Sequence, residues 1–367
     1  MLIIVLLISL LIYSVLVLYI GWSGWRWLAP RGGARKIFRY GYIAVLTVAA
    51  SSFILGQFTE NIIVAVIGAY WMAVFYLCLL IMPLAHITVL ALRLTRLSHR
   101  GAEKAAGLAA LFIIAALLAY GSFNAYSPVI REYEVRIAKP APVETLRIAM
   151  ASDMHFGVLS GRDHAARLVR EINALRPDLV LFPGDLIDDD IGQFQSQGIA
   201  AILAGIESRY GVYASLGNHD RNYGSMQTLI GALEESGMDV LYDEAVVIGD
   251  AFTLVGRKDR RDRGRMDLET LMAGVDTGKP VILLEHQPYE LDEALRLGVD
   301  LMVSGHTHRG QLFPGNLLTA RMYENDWGHL EKEGFHSIVT SGYGFWGPPI
   351  RIGSRSEIAL ITVTFEP

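Results

Sequence analysis

Hydrophobic and polar positions divide the chain into two unlike parts. The first 122 residues contain four long apolar runs, at roughly 2–21, 39–57, 61–92 and 105–122. A helix needs about 20 apolar residues to cross the ~30 Å hydrocarbon core of a bilayer. The pattern therefore predicts an all-α transmembrane segment of four helices over 1–122. The next stretch, 123–145, has three prolines and mixed charge and is predicted to be a linker.

The third apolar run decides the number of spans. It has 32 residues, which is too short for two ordinary spans and a turn, so we expect one long tilted helix with Pro83 inside it. The first run has no positive residues in front of its apolar core, which favours a membrane span over a cleaved signal peptide.

Basic residues in the connecting loops predict the orientation. The first and third loops carry bases and the second carries none; the bases are Arg26, Arg31, Arg35, Lys36 and Arg39, then Arg93, Arg96, Arg100 and Lys104. Because positive loops stay in the cytoplasm, both chain ends are expected outside it. We predict a multi-pass protein of the inner or plasma membrane, with an extracytoplasmic catalytic domain. If the run 61–92 does not span once, that domain would be cytoplasmic.

From residue 146 onward, short apolar runs alternate with polar helical stretches. This alternation predicts an α/β layered domain over 146–367. The strand candidates are 146–151, 179–182, 212–216, 252–256, 281–284, 300–304, 337–340 and 358–365. The helix candidates are 161–176, 194–208, 225–237 and 289–297.

Charge changes sharply between the two parts. Residues 1–120 hold two acids and nine bases, for a balance of +7, and the remainder holds 35 acids and 23 bases, for a balance of −12. An acidic domain on a membrane anchor argues against nucleic acid as a partner. The single cysteine, Cys78, excludes an intrachain disulfide and a thiolate zinc site.

Side chains that bind metals follow five of the predicted strands. Carboxylate, imidazole and amide groups occur just after the runs that end near 151, 182, 216, 284 and 304; they are Asp153, His155, Asp185, Asn218, His286, His306 and His308. Strand ends of an α/β sheet gather ligands at one edge, so these side chains are expected to converge. The residue types suit Mn, Fe, Zn or Mg, and their number suggests two ions sharing a carboxylate.

This set of residues, in this order, resembles the calcineurin-like metallophosphoesterases over about residues 146–367. The resemblance implies a sandwich of two sheets between helices (α/β/β/α) and two divalent ions per chain: Mn²⁺, Fe²⁺ or Fe³⁺, Zn²⁺ or Mg²⁺. It implies one ion on Asp153, His155, Asp185 and His308, and the other on Asp185, Asn218, His286 and His306. Asp185 would then bridge the ions together with a water or hydroxide.

Other residues receive roles around this set. His219 is a natural general acid for the leaving oxygen, and Asp220 is expected to orient it. Arg309, where many members of the family have Gly, either adds a cation to the substrate pocket or points to solvent. Tyr343 and Trp346 are candidate substrate contacts, with plain packing as the alternative. The stretches 305–314 and 342–351 resemble a bacterial subfamily of exported or membrane-attached members.

A basic run lies between the strand candidates 252–256 and 281–284. Six bases and two aspartates fall within nine residues, and a third aspartate, Asp267, follows; the bases are Arg257, Lys258, Arg260, Arg261, Arg263 and Arg265. Two interpretations stay open for it. One is a solvated loop, and the other is an electrostatic contact with anionic head groups or a phosphorylated substrate.

The sequence thus predicts a membrane-anchored, dinuclear-metal phosphoesterase, with phosphodiester hydrolysis by a metal-activated hydroxide favoured. A lipid-linked phosphate is an attractive substrate because the spans hold the domain at the bilayer. One alternative is pyrophosphate hydrolysis of the UDP-2,3-diacylglucosamine type, which would want a cytoplasmic site. Another is a membrane sensor or transporter that a metal-binding domain regulates. The oligomeric state is left open.

Overall fold

The computed structural model describes residues 2–30, 35–59, 61–94, 101–188, 191–221 and 226–366. The chain forms two compact units. One consists of Met1–Ser122 with Gly347–Pro349, and the other of Phe123–Trp346 with Ile350–Pro367. The loop residues Arg31, Glu60, Arg96 and Arg100, of which the three arginines entered the orientation argument, lie outside the described residues.

The first unit contains the four predicted apolar helices. They are α1 (Leu2–Leu28), α2 (Arg35–Leu55), α3 (Ile62–Arg93) and α4 (Ala102–Tyr126). The third run is one continuous helix of 32 residues, which Asn61 caps by accepting from the backbone N–H groups of Ile63 and Val64. All four are long and apolar enough to cross a membrane, and their exposed faces carry large apolar side chains that water would not favour. The prediction of four apolar helices is confirmed.

Several polar side chains of the helical unit form hydrogen bonds between helices. The Trp71 indole donates to the Tyr13 hydroxyl at 2.7 Å, and that hydroxyl donates to the Ala50 carbonyl at 2.9 Å. His86 lies 3.0 Å from the hydroxyl of Ser23 on α1. Such hydrogen bonds join helices where no water is present to satisfy the groups.

The second unit is built on two six-stranded sheets. The first has the order β1-β12-β2-β3-β4-β5 and the second β10-β11-β9-β8-β7-β6. The strands are β1 (Val129–Ile137), β2 (Thr145–Met150), β3 (Leu179–Pro183), β4 (Val212–Ser215), β5 (Met238–Val240), β6 (Glu244–Ile248), β7 (Phe252–Gly256), β8 (Val281–Leu284), β9 (Leu301–Ser304), β10 (Gly328–Lys332), β11 (Phe335–Val339) and β12 (Glu357–Phe365). Strands β2 to β5 run parallel, as do β7, β8, β9 and β11.

All eight predicted strands are present, and four more occur that the apolar pattern did not reveal. The segment 123–145 differs from the expected linker, because β1 lies within it and pairs in parallel with β12 over nine residues. The reason is that β1 is an edge strand in which only Val135 and Ile137 are fully buried. A strand with one buried end and charged residues elsewhere gives no apolar run.

In the part of the chain that the structure describes, seven α-helices flank the sheets. They are α5 (Arg162–Leu175), α6 (Ile191–Ser196), α7 (Ile199–Leu203), α8 (Met226–Glu235), α9 (Leu268–Met272), α10 (Leu291–Arg296) and α11 (Gly315–Met322). The helix predicted over 194–208 is two short helices, because the chain breaks at Gly198, which adopts a left-handed conformation with φ 63°.

Alternation along the strands builds three layers of core. On β2, Ile148 and Met150 face the second sheet and pack with residues of β7, β8 and β9. Their neighbour Ala149 faces the other way, toward α5, α7 and α8. A third cluster joins the second sheet to α9 and α10. The period of two along each strand therefore gives a helix, sheet, sheet, helix arrangement, as the family resemblance implied.

A buried histidine on α5 makes the stability of this unit depend on pH. The ring of His164 is 8% exposed, lies 4.4 Å from the ring of Tyr343, and has no hydrogen-bond partner at Nε2 among the described residues. Burial lowers its pKa to about 4, with the charges of Arg167 and Arg351 adding to the effect. The folded protein therefore holds this ring neutral at pH values where the unfolded chain would protonate it.

We expect this histidine to destabilise the fold in acid. The unfolded state binds the extra proton below about pH 6.5 and the folded state only below about pH 4, so stability falls across that window by about 3 kcal/mol. In detergent, the melting temperature of His164→Phe should fall less than that of the wild type between pH 6.5 and 4. Parallel curves for the two proteins would contradict this assignment.

Candidate metal centre

Three groups of side chains at the strand ends are close enough to hold metal ions. The first is Asp153, His155 and His308; the second is His155, Asp185 and His219; the third is Asp185, His286 and His306. Within each group, the ligand atoms lie within 4.8 Å of one another. All six imidazole and carboxylate ligands that the sequence suggested are therefore brought together.

The first group follows β2 and β9. The Nε2 atoms of His155 and His308 lie 3.2 Å apart, and Nε2 of His308 is 3.4 Å from Oδ1 of Asp153. Two nitrogens each about 2.1 Å from one ion would be separated by about this distance. These three side chains therefore present a preformed set of donors for a cation.

The third group joins the two sheets. Nδ1 of His286 donates to the carbonyl of Pro183 at 2.9 Å, and Nε2 then lies 3.0 Å from Oδ2 of Asp185. A hydrogen bond at one ring nitrogen fixes which nitrogen faces the site, as is usual for metal-binding histidines. Oδ1 of the nearby Asn218 is buried and has no hydrogen-bond partner among the described residues. An unpartnered buried amide oxygen fits a metal ligand.

Backbone amides of one ligand loop hold the carboxylates of another. The N–H of His306 donates to both oxygens of Asp153 at 3.0 Å. The N–H of His219 donates to Oδ1 of Asp185 at 2.9 Å. Each carboxylate is thus fixed by a residue from a different strand end, so the loops support one another's geometry.

Several of these residues adopt an unfavourable backbone conformation. Asp153, His155, Asp185, His306 and His308 all have φ between 46° and 68°. The left-handed region is costly for residues other than Gly and is retained where surrounding structure enforces it, commonly at functional sites. Five strained residues in one place indicate that the fold holds this cluster for a purpose other than stability.

Two glycines make room for the ligands. A Cβ atom at Gly217 would overlap Oδ1 of Asp185, and one at Gly305 would overlap Oδ2 of Asp153. Only Gly therefore allows these strand ends to approach the carboxylates as closely as they do.

The histidines of the cluster have shifted pKa values in opposite directions: the pKa of His286 is raised, and those of His306 and His308 are lowered. Burial works against the charge of His286, but Asp185 raises the pKa of that ring to about 10. Burial lowers the pKa of His306 to about 3 and that of His308 well below its usual value. Neutral imidazoles are the form that binds metal, and a buried carboxylate pair favours a cation beside it.

His219 and Asp220 lie at the centre with different roles. The ring of His219 is 4.9 Å from that of His155, and it belongs to the second group together with His155 and Asp185. The carboxylate of Asp220 accepts from the backbone N–H groups of Leu186, Ile187 and Gly217. Asp220 therefore holds the backbone of the loops that carry Asp185 and His219, and its expected role in orienting His219 stays a prediction.

The three candidate substrate contacts lie in different environments. Trp346 is 55% exposed and its ring lies 6.0 Å from that of His219. Tyr343 is fully buried and its hydroxyl donates to the carbonyl of His164, so it packs in the core instead of meeting substrate. The guanidinium of Arg309 lies 3.7 Å above the ring of Trp327. Arg309 is therefore stacked on a protein side chain and does not simply point to solvent.

Arg351 is a supporting residue that the sequence did not single out. It is fully buried, and its guanidinium donates to the carbonyl of Gly344 at 2.6 Å and lies 3.2 Å from Nδ1 of His308. It thus connects the loop after β11 to the metal cluster. The only signal in the sequence was its place at the end of the stretch 342–351.

Two sheets between helices, with seven ligand-type residues at the carboxyl ends of five strands, define a domain of the dinuclear metallohydrolase class. Residues 146–310 match the calcineurin-like phosphoesterase family. An uncharacterized metallophosphoesterase from Aquifex aeolicus is 34% identical over 262 residues, which cover 69% of this chain and 98% of that protein. The chain belongs to the calcineurin-like phosphoesterase family.

Two relatives are named for both a membrane region and this domain. The transmembrane protein with metallophosphoesterase domain from Danio rerio is 35% identical over 272 residues, covering 69% of this chain and 62% of the relative. The protein of the same description from Bos taurus is 30% identical over 326 residues, covering 82% and 73%. The match thus spans less than two thirds of the Danio rerio protein. Relatives occur in vertebrates as well as bacteria, so the resemblance is not confined to the bacterial subfamily.

Proposed function

We propose that this protein is a membrane-anchored phosphoesterase with two divalent ions, and that phosphodiesters are its preferred substrates. The membrane region is assigned to 1–122 and the catalytic region to 146–367. The observation that carries the proposal is the convergence of six side chains, Asp153, His155, Asp185, His286, His306 and His308. Asn218, with a buried amide oxygen that has no partner among the described residues, precedes His219, whose N–H donates to Asp185. Asp185 belongs to two of the three groups, as a bridging carboxylate would.

The fold holds the candidate metal ligands and the candidate general acid in fixed positions. When bound, two divalent ions would lower the pKa of a shared water and offset the negative charge of the phosphate. Backbone N–H groups fix the carboxylates of Asp153 and Asp185, and the four imidazoles around them complete the set of donors. His219 lies beside this set, where it would deliver a proton to the departing oxygen.

A substrate with an apolar or aromatic group beside the phosphate is favoured over a bare phosphate. Trp346 presents an exposed indole next to His219, and Gln311 fixes its backbone from both sides through hydrogen bonds of 2.8 and 2.9 Å. The indole suits a second ester substituent, which a diester has and a monoester lacks on that side. A lipid-linked phosphate agrees with this surface and with a catalytic region that follows the fourth apolar helix in the chain.

Replacing the indole is expected to weaken binding of the ester substituent. Trp346→Ala should raise KM for bis(4-nitrophenyl) phosphate about five-fold, the loss of roughly one aromatic contact, with little change in kcat. Steady-state kinetics on the detergent-purified protein measure both values. Leu318→Ala, which removes an exposed apolar side chain of α11, is the matched control. A fall in kcat with KM unchanged would contradict a binding role.

Hydrolysis by the purified full-length chain tests the proposal. Turnover of bis(4-nitrophenyl) phosphate and 4-nitrophenyl phosphate is measured with Mn²⁺ and with a chelator. Metal-dependent turnover with the diester preferred supports the proposal. Turnover that a chelator leaves unchanged would overturn the metal mechanism, and preference for the monoester would overturn the diester assignment.

The proposal includes the side of the membrane on which the catalytic region lies. The proposal that the catalytic region lies outside the cytoplasm is supported by the bases in the first and third loops. An alkaline phosphatase fusion at the C-terminus should therefore be active in a bacterial host, and a fluorescent protein at the same position should be dark. The reverse result would place the site in the cytoplasm and favour pyrophosphate hydrolysis of a nucleotide-linked lipid.

A further inference from the structure

The basic run between β7 and α9 has two kinds of positive side chain. Three of its six bases have carboxylate partners. Arg257 and Arg265 pair with Glu285 and Glu290 at 2.7–3.4 Å, and Lys258 lies 3.5 Å from Asp243. These bases are structural, because unpaired charges would be costly at such buried positions.

The other three bases, Arg260, Arg261 and Arg263, have no carboxylate partner among the described residues. The nearby aspartates are already engaged. Asp259 accepts from Arg221 and from the side-chain amide of Gln287, and Asp262 accepts from the hydroxyl of Tyr242. The loop therefore carries positive charge that is not offset by a paired carboxylate, although the second unit is acidic overall.

Aromatic rings lead from the metal centre to one of these bases. The ring of His306 lies 6.3 Å from that of Tyr323, whose ring lies 4.8 Å from that of Tyr289. The guanidinium of Arg260 lies 4.2 Å above the ring of Tyr289. Burial raises the pKa of Tyr323, and the charges of Arg260 and Arg261 oppose this, so both charges act at the same ring.

The loop that carries these bases is fixed to the ligand loops. Arg221, one residue after Asp220, donates to Asp259 at 2.9 Å and to the carbonyl of Arg261 at 2.8 Å. Gln287, next to the ligand His286, donates to Asp259 at 2.7 Å. The loop segment that carries Arg260 and Arg261 thus has a defined position beside the metal centre.

A stacked guanidinium is well suited to binding an anion. Its face is covered by the tyrosine ring, and its N–H groups stay available at the edge of the plane. A phosphate group can accept two parallel hydrogen bonds from a guanidinium, whereas an ammonium group attracts it only as a point charge.

We propose that Arg260, Arg261, Tyr289 and Tyr323 form a subsite for a second phosphate of the substrate, next to the phosphate that is hydrolysed. The inference rests on the proposed function and adds a substrate class to it. The substrates are phosphodiesters or pyrophosphate-containing molecules with a further phosphate near the scissile one, on the His306 side of the centre. The tyrosines orient Arg260 and line the space between the two phosphates.

A pair of matched substrates tests this subsite. Thymidine 5′-(4-nitrophenyl phosphate) and its 3′-phosphorylated form share one leaving group and differ by one phosphate. The full-length wild type with Mn²⁺ should hydrolyse the 3′-phosphorylated form with a KM about ten-fold lower, the effect of one charge-assisted hydrogen bond. The double variant Arg260→Ala/Arg261→Ala should lose this preference and keep its kcat on the unphosphorylated form.

Arg263→Ala is the control, because it removes one positive charge from the same loop at a position with no contact to the tyrosines among the described residues. It should keep the preference. Equal KM values for both substrates in the wild type, or a preference that survives in the double variant, would overturn the subsite while leaving the phosphoesterase proposal intact. No metal-dependent turnover of either substrate would instead overturn the proposed function.

Discussion

Asp185→Asn is expected to reduce kcat/KM for a phosphodiester by about a thousand-fold or more, since the side chain is assigned to both ions of a dinuclear site. Its Oδ2 lies 3.0 Å from Nε2 of His286 and 3.9 Å from Nε2 of His155, so the carboxylate lies between the two groups of ligands. The amide replaces one oxygen by a group that cannot bind a cation. The metal content should therefore fall below two ions per chain.

Activity and metal analysis on the same preparations check this result. The fold should survive, because the amide has the shape of the carboxylate and keeps an oxygen that can accept from the N–H of His219. Asp163→Asn, an exposed carboxylate on α5, removes the same charge away from the centre and should behave as the wild type. A variant at Asp185 that binds two ions and keeps a tenth or more of the activity would show that this residue is not the bridge.

The ligand set could be predicted because its signal is local. Each candidate lies two to four residues beyond a short apolar run, and such runs are typical of buried parallel strands. Asp153 and His306 are 153 residues apart, yet both follow central strands, so the rule that strand ends gather at one edge was enough to place them together.

The supporting residues could not be predicted because their contacts depend on tertiary structure. Asp220 stands next to His219 in the chain, which suggested that it orients this ring, but the sequence did not reveal that its carboxylate accepts from three backbone amides. For Tyr343 the sequence left substrate contact and plain packing open, and the structure buries its ring in the core. Sequence neighbours indicate which residues are near a site and not where their side chains point.

The sequence also did not reveal which bases of the run 257–265 are paired with acids. Six bases in nine residues suggested one solvated or anion-binding surface, whereas the structure pairs Arg257, Lys258 and Arg265 with acids far along the chain. Edge strand β1 was missed for a related reason, because its pairing with β12 depends on backbone hydrogen bonds and not on an apolar pattern.

His219→Gln is expected to slow hydrolysis by an amount that depends on the leaving group. A general acid contributes about 10²–10⁴-fold when the departing oxygen is basic and needs a proton. An alkyl ester should therefore lose about a hundred-fold or more in kcat, while a 4-nitrophenyl ester, whose oxygen leaves readily as an anion, should lose roughly ten-fold or less. Metal content should stay at the wild-type value, because the amino acids assigned as ligands remain.

A series of diesters with leaving groups of increasing basicity measures this dependence. The slope of log kcat against leaving-group pKa should become steeper in His219→Gln, because the variant no longer supplies a proton to the more basic oxygens. His329→Gln, a histidine on β10 that pairs with His336, is the control and should leave the slope unchanged. An equal loss across the series, or a loss of bound metal, would assign His219 to the second group of ligands, where its ring also lies close to Asp185. The steepness of the slope therefore distinguishes a proton donor from a metal ligand at the one position where the geometry allows either.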